Sequence, residues 1–270
     1  LYWIKLKEAT VMIRDLSRNL RVRSILSYVK KVRPVTGEMV DCIDTHEIHV
    51  TADEILLQDN GGTPCRVAMI DVTVDISAPQ PGPGSLDIGI KSPNTWYHIW
   101  IISDSSGLVN GILSKSASNP TLPTGYTYKA YIGAIYNNKD NYLISYYQND
   151  RLVWAEKSCP LAMKAFPCVP TNVDLSASVP STAISVILEL SGLTTIGGHF
   201  ISDIYVGPTS NGPWHNRWMM VAGSSQGAGN IDHVQLITQS EVILDSAQQI
   251  YAYVGTPNNE LEIHVLGWRY

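Results

Sequence analysis

The sequence predicts a mainly β protein, an antiparallel β-sandwich or jelly roll with an N-terminal amphipathic helix. Three observations carry that expectation. Of 270 residues, 44% are apolar and only 16% charged, while 20 Gly, 15 Pro and 14 Tyr supply turns and strand-forming rings; the charged share lies below the ~25% usual for soluble domains. Beyond residue 50, short apolar segments of period two alternate with turn residues every 8–15 or so positions. No helical pattern separates those segments, which argues against a parallel α/β fold. The composition excludes a disordered chain, and a chain of this length can bury a sizeable core. No stretch approaches the ~18 uninterrupted apolar residues of a spanning helix. No secretory signal pattern is visible either.

The helix is expected over residues 1–34. Apolar positions Ile13, Leu16 and Leu20, then Val22, Ile25, Leu26, Val29 and Val32, recur at helical spacing, and the Arg33-Pro34 step ends the pattern. Residues 1–33 hold nine Lys/Arg against two acids, a net +7; with −5 for the whole chain, the remaining 237 residues carry −12. A cationic rod beside an acidic body suits an anchor that docks on an acidic partner or bundles with copies of itself. Arg14, Arg18, Arg21 and Arg23 are its candidate attachment residues. The plainer alternatives are a helix packed on its own domain, or one lying on a membrane surface. No recognition motif accompanies the charge, so nucleic acid is not expected as a partner.

Residues 35–50 read as a connector and 51–270 as one β domain, with a possible subdivision near 159–170. Cys65 to Ile76 alternates, with Ala68, Ile70, Val72, Val74 and Ile76 as the expected buried set. The Pro/Gly-rich run 78–85 is a loop. Thr95 to Ile102 is a buried strand closed by the Asp104–Gly107 turn, and Tyr126 to Tyr136 is another. Leu143 to Tyr147 and Arg151 to Ala155 should form a hairpin. Further strands are expected near 183–190, 199–206, 218–222, 232–237, 249–255 and 261–268, the last two joined by residues 256–260.

Few residues point to chemistry. Cys42, Cys65, Cys159 and Cys168 are too few to scaffold this chain, and their spacing matches no zinc ribbon; 159 and 168 could close a small loop but read better as free buried thiols. His46 and His49, with Asp44 and Glu47, read as an exposed polar strand rather than a metal site. His98, within an apolar strand, reads as a hydrogen-bonded core residue. Asp71, Asp75, Asp104, Asp203, Asp232 and Glu241 could serve as acids in glycoside hydrolysis, but nothing pairs any two of them. No nucleophile elbow, P-loop or dinucleotide fingerprint is present, so no enzyme, cofactor or metal is expected.

The aromatics carry more. Trp96, Trp100, Trp154, Trp214, Trp218 and Trp268, with many Tyr and only two Phe, offer rings with apolar faces and polar edges. Such rings suit stacking on sugars, although most will be core. Trp214 stands out because it lies in a loop-like run beside polar groups; Trp214, His215, Asn216 and Arg217 are the candidate glycan-binding residues. A loop aromatic plugging one end of the fold is the alternative.

Residues 94–100 (NTWYHIW), 116–128 (SASNPTLPTGYTY) and 131–135 (YIGAI) resemble a module of bacteriophage and prophage tail-fibre-like proteins. The likeness is good over roughly 85–155 and loose elsewhere, although the closing 261–268 (LEIHVLGW) resembles how such chains end. The resemblance implies a virion component of β-sandwich domains, oligomeric and concerned with host attachment, assembled in the host cytoplasm. It carries over no catalytic residue. The expected partners are other virion proteins, copies of this chain in a homotrimer, and a host cell-surface glycan, with no membrane. Two other roles fit the same sequence: a non-binding collar, head-decoration or baseplate protein, and a polysaccharide-degrading tailspike-type enzyme. Within the resembling stretch, Pro120 and Pro123 fix the backbone and cannot donate to a ladder, so they make a stiff crossover into the Tyr126 strand.

Overall fold

Sixteen strands and no helix form the regular structure of the described residues, which in the computed structural model are 41–44, 46–163, 166–194, 200–212, 216–222, 234–245, 248–255 and 259–270. The helix expected over 1–34, with Arg14, Arg18, Arg21 and Arg23, lies outside them. The expected connector already contributes to the first sheet. Strand β1 (Asp41–Asp44) pairs with β2 (Glu47–Gln58), and Ile48 and Val50 are buried. Of the segment expected as an exposed polar strand, Asp44 ends β1, Glu47 and the half-buried His49 lie on β2, and His46 is in a turn ahead of β2.

β2 pairs along its length with β3 (Pro64–Asp75), and midway both strands change phase. On β2 the buried set is Ile48, Val50 and Ala52, then Ile55 and Leu57; on β3 it is Val67, then Ile70 and Val74. The slip falls between the Ala52–Ile70 and Glu54–Ala68 pairs, where Asp53 and Met69 are both exposed and Met69 takes φ 53°. Because both strands slip together, register survives while the hairpin exchanges faces. Ala68, expected inside, is therefore exposed, and Val67 takes the buried place. The left-handed Met69 costs the backbone about 1–2 kcal/mol, a strain held in place by the pairing on either side.

β2 and β3 belong to a seven-stranded sheet with β4 (Ser85–Leu86), β5 (Thr95–Asp104), β6 (Val109–Ser114) and β7 (Tyr126–Asn137), in the order β1-β2-β7-β5-β6-β4 with β3 beside β2. The sheet curls into a half-barrel. Asp75 N donates to Gly84 O at 2.8 Å and Gly84 N donates to Gly111 O at 2.8 Å, which ties the end of β3 to β6. Close approach requires Gly111, since a Cβ there would meet Val74 Cγ2 at 2.4 Å.

After β7 the chain leaves this sheet, so the change of sheet falls between Asn137 and Tyr146. β8 (Tyr146–Asn149) and β9 (Leu152–Met163) form the expected hairpin, with Asp150 at φ 54° in its turn. They join β11 (Ser185–Thr194), β14 (Val234–Ile243) and β16 (Asn259–Arg269) in a five-stranded antiparallel sheet, ordered β14-β11-β16-β9-β8. A four-stranded antiparallel sheet contains β10 (Thr171–Asp174), β12 (Phe200–Gly207), β13 (Asn216–Ala222) and β15 (Gln249–Val254), ordered β10-β15-β12-β13. β15 and β16, consecutive in sequence, thus belong to different sheets. Val186, Leu188, Leu190, Leu261, Ile263 and Val265 from one sheet and Val173, Ile204, Val206, Ile250, Ala252 and Val254 from the other enter one buried cluster with the half-barrel core.

An aromatic and polar seam joins the half-barrel to these sheets. Trp96 meets Trp268 edge-on at 5.5 Å, and its Nε1 donates to Ser176 O at 2.7 Å. Ala134 N donates to Tyr270 Oη at 2.7 Å, Tyr131 and Thr182 share a hydroxyl bond of 2.7 Å, and the buried Gln148 donates to Ile132 O at 2.9 Å. Gly267 lets β16 lie against β9, because a Cβ there would come within 2.0 Å of Val153 O.

Candidate functional site

Alternation along the four-stranded sheet decides what its outer face presents. On β15, Ile250, Ala252 and Val254 are buried, which turns Gln249, Tyr251 and Tyr253 the other way. On β12, Ile204 and Val206 are buried and Tyr205 takes the outer side. Tyr205 and Tyr253 are cross-strand partners, and their rings stack at 4.3 Å with planes 6° apart. Tyr251 lies opposite Asn172 on β10 and Gly207 on β12, which adds no side chain beside the ring. Asn172 Nδ2 donates to Gln249 Oε1 at 2.5 Å, and Asp174 lies opposite Gln249. Three half-buried tyrosines thus share one face with an amide pair and a carboxylate.

Of the four candidate glycan-binding residues, only Asn216 and Arg217 are described. Trp214 and His215 lie outside the described residues. Asn216 and Arg217 open β13, where the backbone register places them opposite Val206 and Tyr205. Sequence reading missed the tyrosines, although the alternation in Gln249–Val254 (QIYAYV) contained the signal. Of the tryptophans, Trp100 and Trp268 are core, Trp96 lies in the seam, and Trp154 on β9 is 40% exposed beside Tyr147 at 38%.

The other candidates have local partners. His49 Nε2 lies 2.6 Å from Asp71 Oδ1, and His46 meets Tyr142 edge-on at 5.8 Å. Asp75 and Asp104 accept backbone and hydroxyl bonds from Ser77 and from Ser106 in their turns. Bonds from the Ser106 hydroxyl and from the Leu108 N–H hold Asp104 below the ordinary carboxylate range. Glu241 accepts from Ser185 Oγ at 2.5 Å and pairs with Arg269 Nε at 3.0 Å. Asp203 sits on β12, while Asp232 lies outside the described residues. Cys65 and Cys168 are free; Cys168 is exposed, not buried as expected, because it occupies the loop before β10. Among the described residues no group of three metal-ligating side chains assembles.

His98 is a core residue, 4% exposed, with Nδ1 3.4 Å from Tyr131 Oη. Burial lowers its pKa to about 4, so the ring is neutral near pH 7. The same desolvation raises Tyr131 and Tyr270 above the ordinary phenol range. These groups stabilise the seam as neutral hydrogen-bonding rings.

Compared with known proteins, the chain matches no family model, and no curated protein matches it. The chemistry of the tyrosine face therefore has to be read from its own residues. Phenol rings accept the apolar C–H face of a sugar, and amide, carboxylate and phenol groups exchange hydrogen bonds with its hydroxyls.

Proposed function

We propose that this chain is a structural protein of a bacteriophage-type virion, tail-fibre-like, which displays a β-rich body for recognition of a host cell-surface glycan. In this reading the five- and four-stranded sheets form a β-sandwich of jelly-roll type, and residues 1–34 form an amphipathic helix that attaches to other virion proteins. The observation that carries glycan recognition is the stacked Tyr205–Tyr253 pair on a sheet face shared with Tyr251, Asn172 and Gln249. The resemblance of residues 85–155 to tail-fibre-like modules supports the virion setting. Assembly as a trimer would present several copies of a weak site, and avidity would supply the affinity one copy lacks.

An array of purified bacterial capsule and lipopolysaccharide fragments tests the reading. The full chain is expected to bind at least one fragment, and Tyr253→Ala to weaken that binding by about twofold to twelvefold, as loss of a ring contact of ~0.5–1.5 kcal/mol implies. Silence across the array would favour a non-binding collar or baseplate protein. Release of oligosaccharides would favour a degrading enzyme.

A further inference from the structure

A hollow on the half-barrel shares no residue with the tyrosine face, and what is argued from it does not depend on that face. The tip of the β2–β3 hairpin, the crossover from β6 to β7 and the start of β7 border an open hollow of about 560 Å³, lined by Asp59, Asn60, Asn119, Leu122, Tyr126 and Lys129 among others. That volume falls within the roughly 300–1,000 Å³ of small-molecule sites. The Gln58–Lys129 pair sets the hairpin tip beside β7.

Each wall is held by its own bonds. Asp59 Oδ1 accepts from Gly61 N and Thr63 N, both at 2.8 Å, which fixes the turn. The Thr63 N–H, the largest cause, keeps the Asp59 carboxyl ionised below its ordinary range. The crossover is pinned twice: Ser116 Oγ accepts from Asn119 N at 2.9 Å, and Asp87 Oδ2 accepts from Thr121 N at 2.9 Å. Lys129 Nζ donates to Asn119 Oδ1 at 3.2 Å and stands 5.9 Å over the Trp100 ring.

The resulting set is specific. Lys129 has three donors and gives one to Asn119, whose own amide nitrogen has no protein partner among the described residues. A carboxylate offers about four acceptor positions, and at Asp59 the Thr63 hydroxyl and neighbouring backbone N–H groups take part of that capacity. Donors and an acceptor therefore surround a hollow whose apolar patches come from Pro120, Leu122 and the Tyr126 ring. Adjacent sugar hydroxyls each donate and accept, while the ring carbons need an apolar surface. With one carboxylate, Asp59, and one ammonium, Lys129, in its lining, the hollow carries no net charge to attract an acid. We infer that this hollow binds a neutral pyranose through its vicinal hydroxyls.

Saturation-transfer NMR on the full chain at pH 7 tests it, with the methyl pyranosides of glucose, galactose, mannose, rhamnose and N-acetylglucosamine, and with glucuronate. At least one neutral pyranoside should bind, and Asn119→Ala should weaken it by about tenfold, the effect of one lost hydrogen bond with its partner left unpaired. Asn60→Ala, in the exposed turn, is the second variant should the first fold poorly, and should also weaken binding. Lys139→Ala, in an exposed turn outside both faces, should leave this signal unchanged. Binding by no neutral pyranoside, tighter binding of glucuronate, or affinity unaltered by both asparagine variants would overturn the inference. Loss with Tyr253→Ala alone would move the sugar to the tyrosine face, leaving the proposed function standing.

Discussion

Replacing Trp268 with alanine is expected to remove about 3–5 kcal/mol of folding stability, the range for deleting a large ring from a filled core. Trp268 is fully buried, sits between Val186 and Val153 in the ladder, and meets Trp96 edge-on at 5.5 Å. Its ring lies where the half-barrel and the five-stranded sheet share a core. The cavity left behind would remove the surface against which Trp96 packs, so the Trp96 Nε1 bond to Ser176 O should weaken too. Urea unfolding followed by fluorescence should show a lower midpoint. A loss below about 1 kcal/mol would mean that the seam does not depend on this ring.

Lowering the pH from about 6.5 to about 4 should destabilise the fold through His98. An unfolded histidine titrates near 6.5, whereas burial holds the folded imidazole at about 4. Between those values the unfolded chain takes up a proton that the folded chain refuses. Stability is therefore intact above about 6.5 and falls as the pH drops, by about 3 kcal/mol in all, with no further loss from this residue below 4. The ring's polar neighbour is neutral: Tyr131 Oη lies 3.4 Å from Nδ1, and its phenol stays protonated across the whole range. Comparing urea midpoints of the parent chain and His98→Gln between pH 4 and 7 isolates the term. The parent should show the steeper decline, and parallel curves would show that His98 is solvated when folded.

Legibility in the sequence followed the range of the interactions involved. Thr95–Ile102 and Tyr126–Tyr136 were readable because nearly every side chain, Thr127 apart, is buried or half-buried, which calls for a continuous run of apolar and aromatic residues. The Pro120–Pro123 crossover was readable because proline acts on its own backbone. β2 was not, since its alternation changes phase near Asp53, and only the matching slip at Met69 on β3 explains why. Consecutive β15 and β16 were both legible as strands, yet which sheet each joins depends on Tyr205, Leu188 and other residues far away in sequence.

The sites follow the same logic. Tyr251 and Tyr253 were visible as alternating rings, but their pairing with Tyr205 is a matter of register. The hollow on the half-barrel draws on Asp59, Asn119 and Lys129, brought together by a turn, a crossover and one strand pair. No local pattern encodes that meeting.

The central claim, that the stacked tyrosines read a glycan, is tested most directly by a double-mutant cycle. Calorimetric titration of a bound polysaccharide fragment into the parent chain, Tyr205→Ala, Tyr253→Ala and the double variant gives the coupling between the two rings. If the pair acts as one platform, each single variant weakens binding and the double variant loses less than the two single losses combined. Unchanged affinity in all three variants would contradict the account and place recognition elsewhere on the molecule.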